Sequence, residues 1–217
     1  MTIKTFDSWD TDDIERTFHL RRVLDSPTLQ SWIDVPTLTS LDATTRQNLE
    51  ALRQKIFLYG SGWNEDELKF HFIAPLVSIV DFSIEAKNIH AFTQRTMTAT
   101  INDIELSGRV DFVVATGKTK PIQPFFFLHE YKKEFAGNSD PRAQLLAEML
   151  AARALNGVDY PMYGCYVVGR MWFFVVLSGS DYAESPAFDS TQPDVFNILA
   201  ILTEAKRIIG TLADDYV

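Results

Sequence analysis

Cysteine is nearly missing from this chain: Cys165 is the single one in 217 residues. No intrachain disulfide can form, and its apolar run, Tyr163 to Val168, suits a buried filler rather than a nucleophile. Basic residues are scarce too, with 20 Lys and Arg against 29 Asp and Glu and a formal net charge of -9. That balance favours solubility and opposes free-standing, non-specific binding to nucleic acid. No apolar stretch approaches the ~20 residues that span a bilayer, so no membrane partner is expected. Met1 to Asp7 is not a basic start followed by an apolar run, so no signal peptide is expected and the expected location is cytoplasmic. A Gly-x-x-x-x-Gly-Lys-Ser/Thr loop is absent, which removes an ATP-driven motor; a Gly-x-Ser-x-Gly elbow and a Cys-x-x-Cys pair are absent as well. His19, His71, His90 and His129 have no zinc-ligand spacing.

What is present suffices for a real core. Hydrophobic residues make up 46% of the chain and include sixteen Phe, and the length fits one domain with or without an appendage. Residues 1–60 read as helical and irregular. Ser26-Pro27 starts a helix to Ile33, and Asp42 or Thr44 caps a longer one carrying Leu49, Leu52, Ile56 and Phe57. Asn64 caps a further helix with Glu65, Asp66 and Glu67 in its first turn, where the helix dipole favours acids, and an apolar stripe of Leu68, Phe72, Ile73 and Leu76. From Ile79 to Val114 the pattern turns to short alternating runs, with a hairpin turn at Asn102-Asp103 and a bend at Gly108. Phe125 to Lys132 is apolar on both faces before its charged end, as a central covered strand is. Asn138 to Arg142 is a capped helix start with Pro141 in the first turn, and that helix stops at Asn156-Gly157. Two strands meet tightly at Gly169-Arg170, and a last helix carries Val195, Ile198, Leu199, Leu202, Ile209 and Leu212 on one face. The order predicts an α/β fold with a mixed sheet flanked by helices.

The chemistry concentrates at Glu130-Tyr131-Lys132 and at Asp111 on the preceding strand. Strand side chains alternate, so Glu130 and Lys132 share a face. Two carboxylates, Asp111 and Glu130, suit a hard cation, and the lysine suits an attacking water.

These residues resemble the motif of the PD-(D/E)XK nuclease superfamily: a helix Glu, a strand Asp, Glu-x-Lys on the next strand, and often a Gln on the crossing helix. Matching positions are Glu65, Asp111, Glu130, Lys132 and Gln144. Asn64 to Leu76 is similar to the opening helix of the nuclease domain in type I restriction motor subunits. The family's proline before the aspartate is replaced by Val110. The resemblance runs from about Trp63 to Ser178. It implies a restriction-endonuclease-like domain over residues 61–217, with residues 1–60 as an N-terminal helical extension. It also implies hydrolysis of DNA phosphodiester bonds with Mg2+ or Mn2+ held by Asp111, Glu130 and the Tyr131 carbonyl. Lys132 would attend the attacking water, Gln144 would orient it or the lysine, and Glu65 (with Glu67 as the alternative) would complete the shell. Lys118, Lys120 and Arg142 are the expected phosphate contacts. DNA is the expected partner, reached directly or through a partner subunit, and a homodimer is one arrangement that relatives use.

Blander readings stand beside these. Glu-x-Lys is common as a surface ion pair, Gln144 and Glu148 at i, i+4 make a helix-surface hydrogen-bond pair, and Arg16, Arg21 and Arg22 make a solvated helix face. An inactive member of the fold that binds a partner protein or nucleic acid is the alternative function, and the acidic charge favours it.

Overall fold

The switch of apolar period after the Asn64 helix is where the sheet begins. The computed structural model describes residues 2–35, 41–134 and 140–215. Asn138 and Ser139, part of the expected cap of the crossing helix, lie outside them. Nine strands form one mixed sheet: β1 (Thr2–Thr5), β2 (Arg21–Arg22), β3 (Ile89–Ile101), β4 (Ile104–Thr116), β5 (Ile122–Lys132), β6 (Met162–Val168), β7 (Met171–Ser178), β8 (Asp181–Glu184) and β9 (Phe188–Asp189). Among the described residues, seven α-helices accompany it: α1 (Thr11–Phe18), α2 (Pro27–Ile33), α3 (Ala43–Tyr59), α4 (Glu65–Leu68), α5 (Ala74–Val80), α6 (Pro141–Asn156) and α7 (Asp194–Asp215). The sheet runs β1-β4-β5-β6-β7-β8-β2, with β3 on β4 and β9 on β7. The fold is therefore α/β with a mixed central sheet flanked by helices.

Local chemistry explains most boundaries. Asn102 and Asp103 both adopt positive φ, 48° and 63°, as a tight hairpin between β3 and β4 requires. Ser26, Asp42, Asn64 and Asp140 cap α2, α3, α4 and α6 with their side chains. Asp140 does more than cap: its other oxygen accepts from the Thr11 amide at 2.9 Å and the Thr11 hydroxyl at 2.7 Å, tying α1 to α6. Between α4 and α5 the chain widens into a π-turn, Lys69–Ile73, two residues before Pro75, which has no amide N–H to donate.

One apolar cluster joins α2, α3, α5 and α7 to one face of the sheet, around Trp32, Phe72, Phe127 and Trp172. The other joins α1 and α6 to the opposite face, around Phe6, Val113, Leu128 and Leu146. β5 lies between β4 and β6 and is buried from Phe125 to Tyr131, as its two-sided apolar pattern predicts.

Several expectations need correction. Residues 1–60 supply strands β1 and β2 as well as helices. Arg21 and Arg22 lie on β2, not on a helix face, and pair with Asp181 and Glu184 at 2.8 Å each. Phe57, expected on the buried stripe of α3, is 65% exposed, because Leu49 and Ile56 set the buried face and the next residue turns away.

Candidate active site

β4 positions the site by losing its neighbours at one point. Its full length pairs with β3, so β1 and β5 share the other edge: β1 along Ile104–Ser107 and β5 from Phe112 to Thr116. Among the described residues, no strand pairs with that edge between Gly108 and Asp111. The β3 ladder holds at Thr93↔Phe112 and Arg95↔Val110 and lapses between them, opposite Asp111. Gln94, at that lapse, has a φ of 54°, a region non-glycine residues rarely occupy. Asp111 thus stands where the sheet opens.

Its carboxylate fills the opening. Oδ2 accepts the Tyr131 amide at 3.2 Å, in place of the ladder that stops at Phe112↔His129. Oδ1 accepts from Gln94 Nε2 at 2.5 Å and from Lys69 Nζ at 2.9 Å. The same ammonium meets Glu65 Oε1 at 2.6 Å. Glu65 and Lys69 are one helical turn apart, so the Lys69 ammonium bridges Glu65 and Asp111. Glu67 is committed elsewhere: its carboxylate accepts the Asn64 amide at 2.8 Å in a capping box.

The α6 side supplies the rest. Glu130 is 1% exposed, and its Oε1 accepts from Lys132 Nζ at 2.5 Å. Gln144 donates to Glu148 Oε1 at 3.3 Å. This pair exists but is buried, not on the helix surface as the spacing suggested, because α6 is apolar on nearly every side and is covered all round from Ala143 to Ala152. Among the described residues, Glu130 Oε2 and Glu148 Oε2 are buried with no hydrogen-bond partner. His129 and Tyr131 point to the other face, where the tyrosine hydroxyl meets His129 Nδ1 at 2.8 Å. Burial holds that histidine down to about 3, as the neutral imidazole.

Electrostatics bind these groups into one cluster. Burial, then the charge of Asp111, push the Glu130 carboxyl up to about 8 against the pull of Lys132. Burial, then Glu130 and Asp111, hold Glu148 well above the usual carboxylate range. Burial works against the Lys132 ammonium, but Glu130 outweighs it and the amine stays above its ordinary value. Lys69 is raised likewise: burial opposes its charge, and Glu65 and Asp111 outweigh it. Glu65, Asp111, Glu130 and Glu148 against Lys69 and Lys132 make four acids to two amines, two negative charges in excess when all ionise. A divalent cation would favour the ionised forms that burial and mutual repulsion now oppose, and would give partners to the two buried carboxylate oxygens that lack them. Among the described residues no three His, Cys, Asp or Glu side chains are already gathered as a metal shell, but Mg2+ typically takes only one or two carboxylates and keeps several waters.

The expected phosphate contacts do not join the cluster. Lys118 and Lys120 lie exposed beyond Thr116 at the far end of β4, roughly 20 Å from Asp111 at the ~3.3 Å rise of a strand residue. Arg142 is engaged by Glu184, which also accepts from Arg22 and, at 2.8 Å, from the Tyr166 hydroxyl. Lys69, Gln94 and Glu148 are site neighbours that the motif did not single out. Glu148 was accessible through the all-round apolar pattern of its helix and Lys69 through its i, i+4 spacing from Glu65; nothing local marks Gln94.

No family model matches the chain, and no curated protein does. Among solved structures, the chain is similar to one in the cryoEM structure of a DrdV–DNA complex, at 17% identity and a TM-score of 0.43, over 73% of this chain. The matched part spans only 13% of that chain. No helix among the described residues is long and apolar enough to cross a membrane.

Proposed function

We propose that this chain is a divalent-metal-dependent nuclease of the PD-(D/E)XK type that hydrolyses DNA phosphodiester bonds. The observation that carries this reading is that Asp111, at the break in the sheet, accepts the Tyr131 amide between Glu130 and Lys132, which pair with each other and leave Glu130 Oε2 unpaired. Asp111 and Glu130, with the Tyr131 carbonyl, would hold Mg2+ or Mn2+. When bound, the ion supplies a polarised phosphate oxygen and a water of lowered pKa. Lys132 orients that water and stabilises charge that develops on the phosphate. Glu130 fixes the ammonium by its 2.5 Å contact. Gln144 acts through Glu148, which it holds by a 3.3 Å hydrogen bond and whose carboxyl is raised by burial and by Glu130. Lys69, held by Glu65, braces Asp111.

The test is cleavage of supercoiled plasmid and of single-stranded DNA with Mn2+, comparing the wild type with Lys132→Ala and Asp111→Ala. Loss of roughly a hundredfold or more in both variants is expected if they act in the chemical step. Cutting that survives both substitutions points to a contaminant and ends the proposal.

A second reading has its own support. Lys69 already occupies Glu65 and Asp111 as a shared ion-pair partner, and the chain is strongly acidic. A non-cutting module that binds a partner would raise its melting temperature with the partner and show no cleavage with any divalent ion.

A further inference from the structure

Beside the acid cluster lies an open cleft of about 510 Å³ between the π-turn helix and the β3–β4 hairpin. Its volume falls within the range of sites that take small organic groups. Ile73, Val77 and Phe112 give it an apolar floor, Tyr131 an aromatic wall, and Gln94 a polar edge. Phe70 stands at its rim and is 75% exposed, an unusual state for a large apolar side chain. The π-turn accounts for this: the wide turn at Lys69–Ile73 sends Lys69 to Asp111 and leaves the next residue facing out. Flat apolar surfaces with polar groups at the edge match a nucleobase, which stacks by its face and hydrogen-bonds by its edge. The cleft shares Asp111 and Lys69 with the acid cluster, so an occupant there is within a nucleotide's reach of a phosphate held at that cluster.

We infer that the cleft receives one unstacked nucleobase of the strand being cut, with Phe70 as its stacking face. This deepens the nuclease reading and rests on it. A base can enter only after leaving its helix, so the substrate is single-stranded DNA, a frayed end or a strand opened at the cut site. Uninterrupted duplex is the poorer substrate.

The experiment uses the full chain with Mn2+ and end-labelled oligonucleotides. A single abasic site is walked through the nucleotides flanking the cut. In the wild type, one position weakens cleavage roughly tenfold to a hundredfold, the range that removal of one base–aromatic stack gives. Phe70→Ala lowers cleavage of the intact strand by a similar factor and abolishes the effect of that abasic site. Ala74→Trp fills the cleft without altering Phe70 and gives the same pattern; circular dichroism confirms that both variants fold. Phe57→Ala, an exposed aromatic on α3, controls for general loss of apolar surface. Cleavage indifferent to every abasic position and to both cleft variants overturns the inference while the nuclease reading stands. An absence of any Mn2+-dependent cutting, on single strands and duplex alike, overturns the nuclease reading itself and the cleft assignment with it.

Discussion

Glu130 carries the sharpest conflict in the molecule: a carboxyl 1% exposed, beside other acids, with one oxygen unpaired. Its proton is held up to about 8 when folded, against 4.5 ordinarily. Between those values the folded state binds more protons than the unfolded one. The contribution of Glu130 to the stability of the metal-free protein is therefore fullest below about pH 4.5 and is lost as the pH rises through 8, a change of a few kcal/mol at about 1.4 per pKa unit. Glu148, raised in the same direction, adds to that slope. Glu130→Gln should flatten the alkaline loss in part, seen by thermal unfolding from pH 4 to 9 in chelator, and should remove most of any Mn2+-induced rise in melting temperature. An unaltered slope would mean that the carboxyl is not the source. The Glu130–Lys132 pair was legible because a strand's period of two puts the two side chains together. Gln94 was not, because it reaches Asp111 through a left-handed backbone that no sequence signal announces.

Elements decide how the opening at Asp111 is kept. Hairpins were legible from their turns: Asn102-Asp103 and Gly169-Arg170 both fall between observed strands. The short strands β1, β2, β8 and β9 were not, since two to four residues show too little alternation to stand out. β1 ends beside Gly108, and this glycine is where the β1 and β5 edges of β4 part. A Cβ there would lie 2.6 Å from the Phe6 ring, itself buried at the start of the turn after β1. The ring has no free end to swing aside. Gly108→Ala should thus destabilise by about 1–3 kcal/mol, the usual range for overpacking. Urea unfolding measures it, and the double variant Gly108→Ala, Phe6→Ala should show less than the sum of the two losses, because each relieves the other. Additive losses would place the strain somewhere else. The π-turn was invisible for a different reason. Leu68, Phe72 and Leu76 keep an ordinary helical spacing, and only the tertiary pull of Asp111 on Lys69 accompanies the widened turn.

At the scale of the whole molecule, the first thirty-odd residues hold both faces of the sheet. Phe6, Trp9 and Ile14 enter the cluster under α6, whereas Leu29 and Trp32 enter the cluster under α7. β1 and β2 pair with β4 and β8, near opposite ends of the sheet. Trp32 is the anchor on its side. It is fully buried, meets Phe127, Tyr163 and Phe174 edge to face at 5.2–6.1 Å, and donates its indole N–H to the Ile201 carbonyl at 3.0 Å. Those three rings lie on the strands β5, β6 and β7 that carry the Glu-x-Lys end and its neighbours. Trp32→Ala should cost about 3–5 kcal/mol, as large aromatic truncations in cores do. A chain lacking residues 2–33 should do worse, because it uncovers both faces at once. We expect it to lose its near-UV circular dichroism and its cooperative urea transition, and any Mn2+-dependent melting shift with them. A shortened chain that still unfolds cooperatively with a native near-UV spectrum would show that the sheet and its acid cluster are complete without the N-terminal segment.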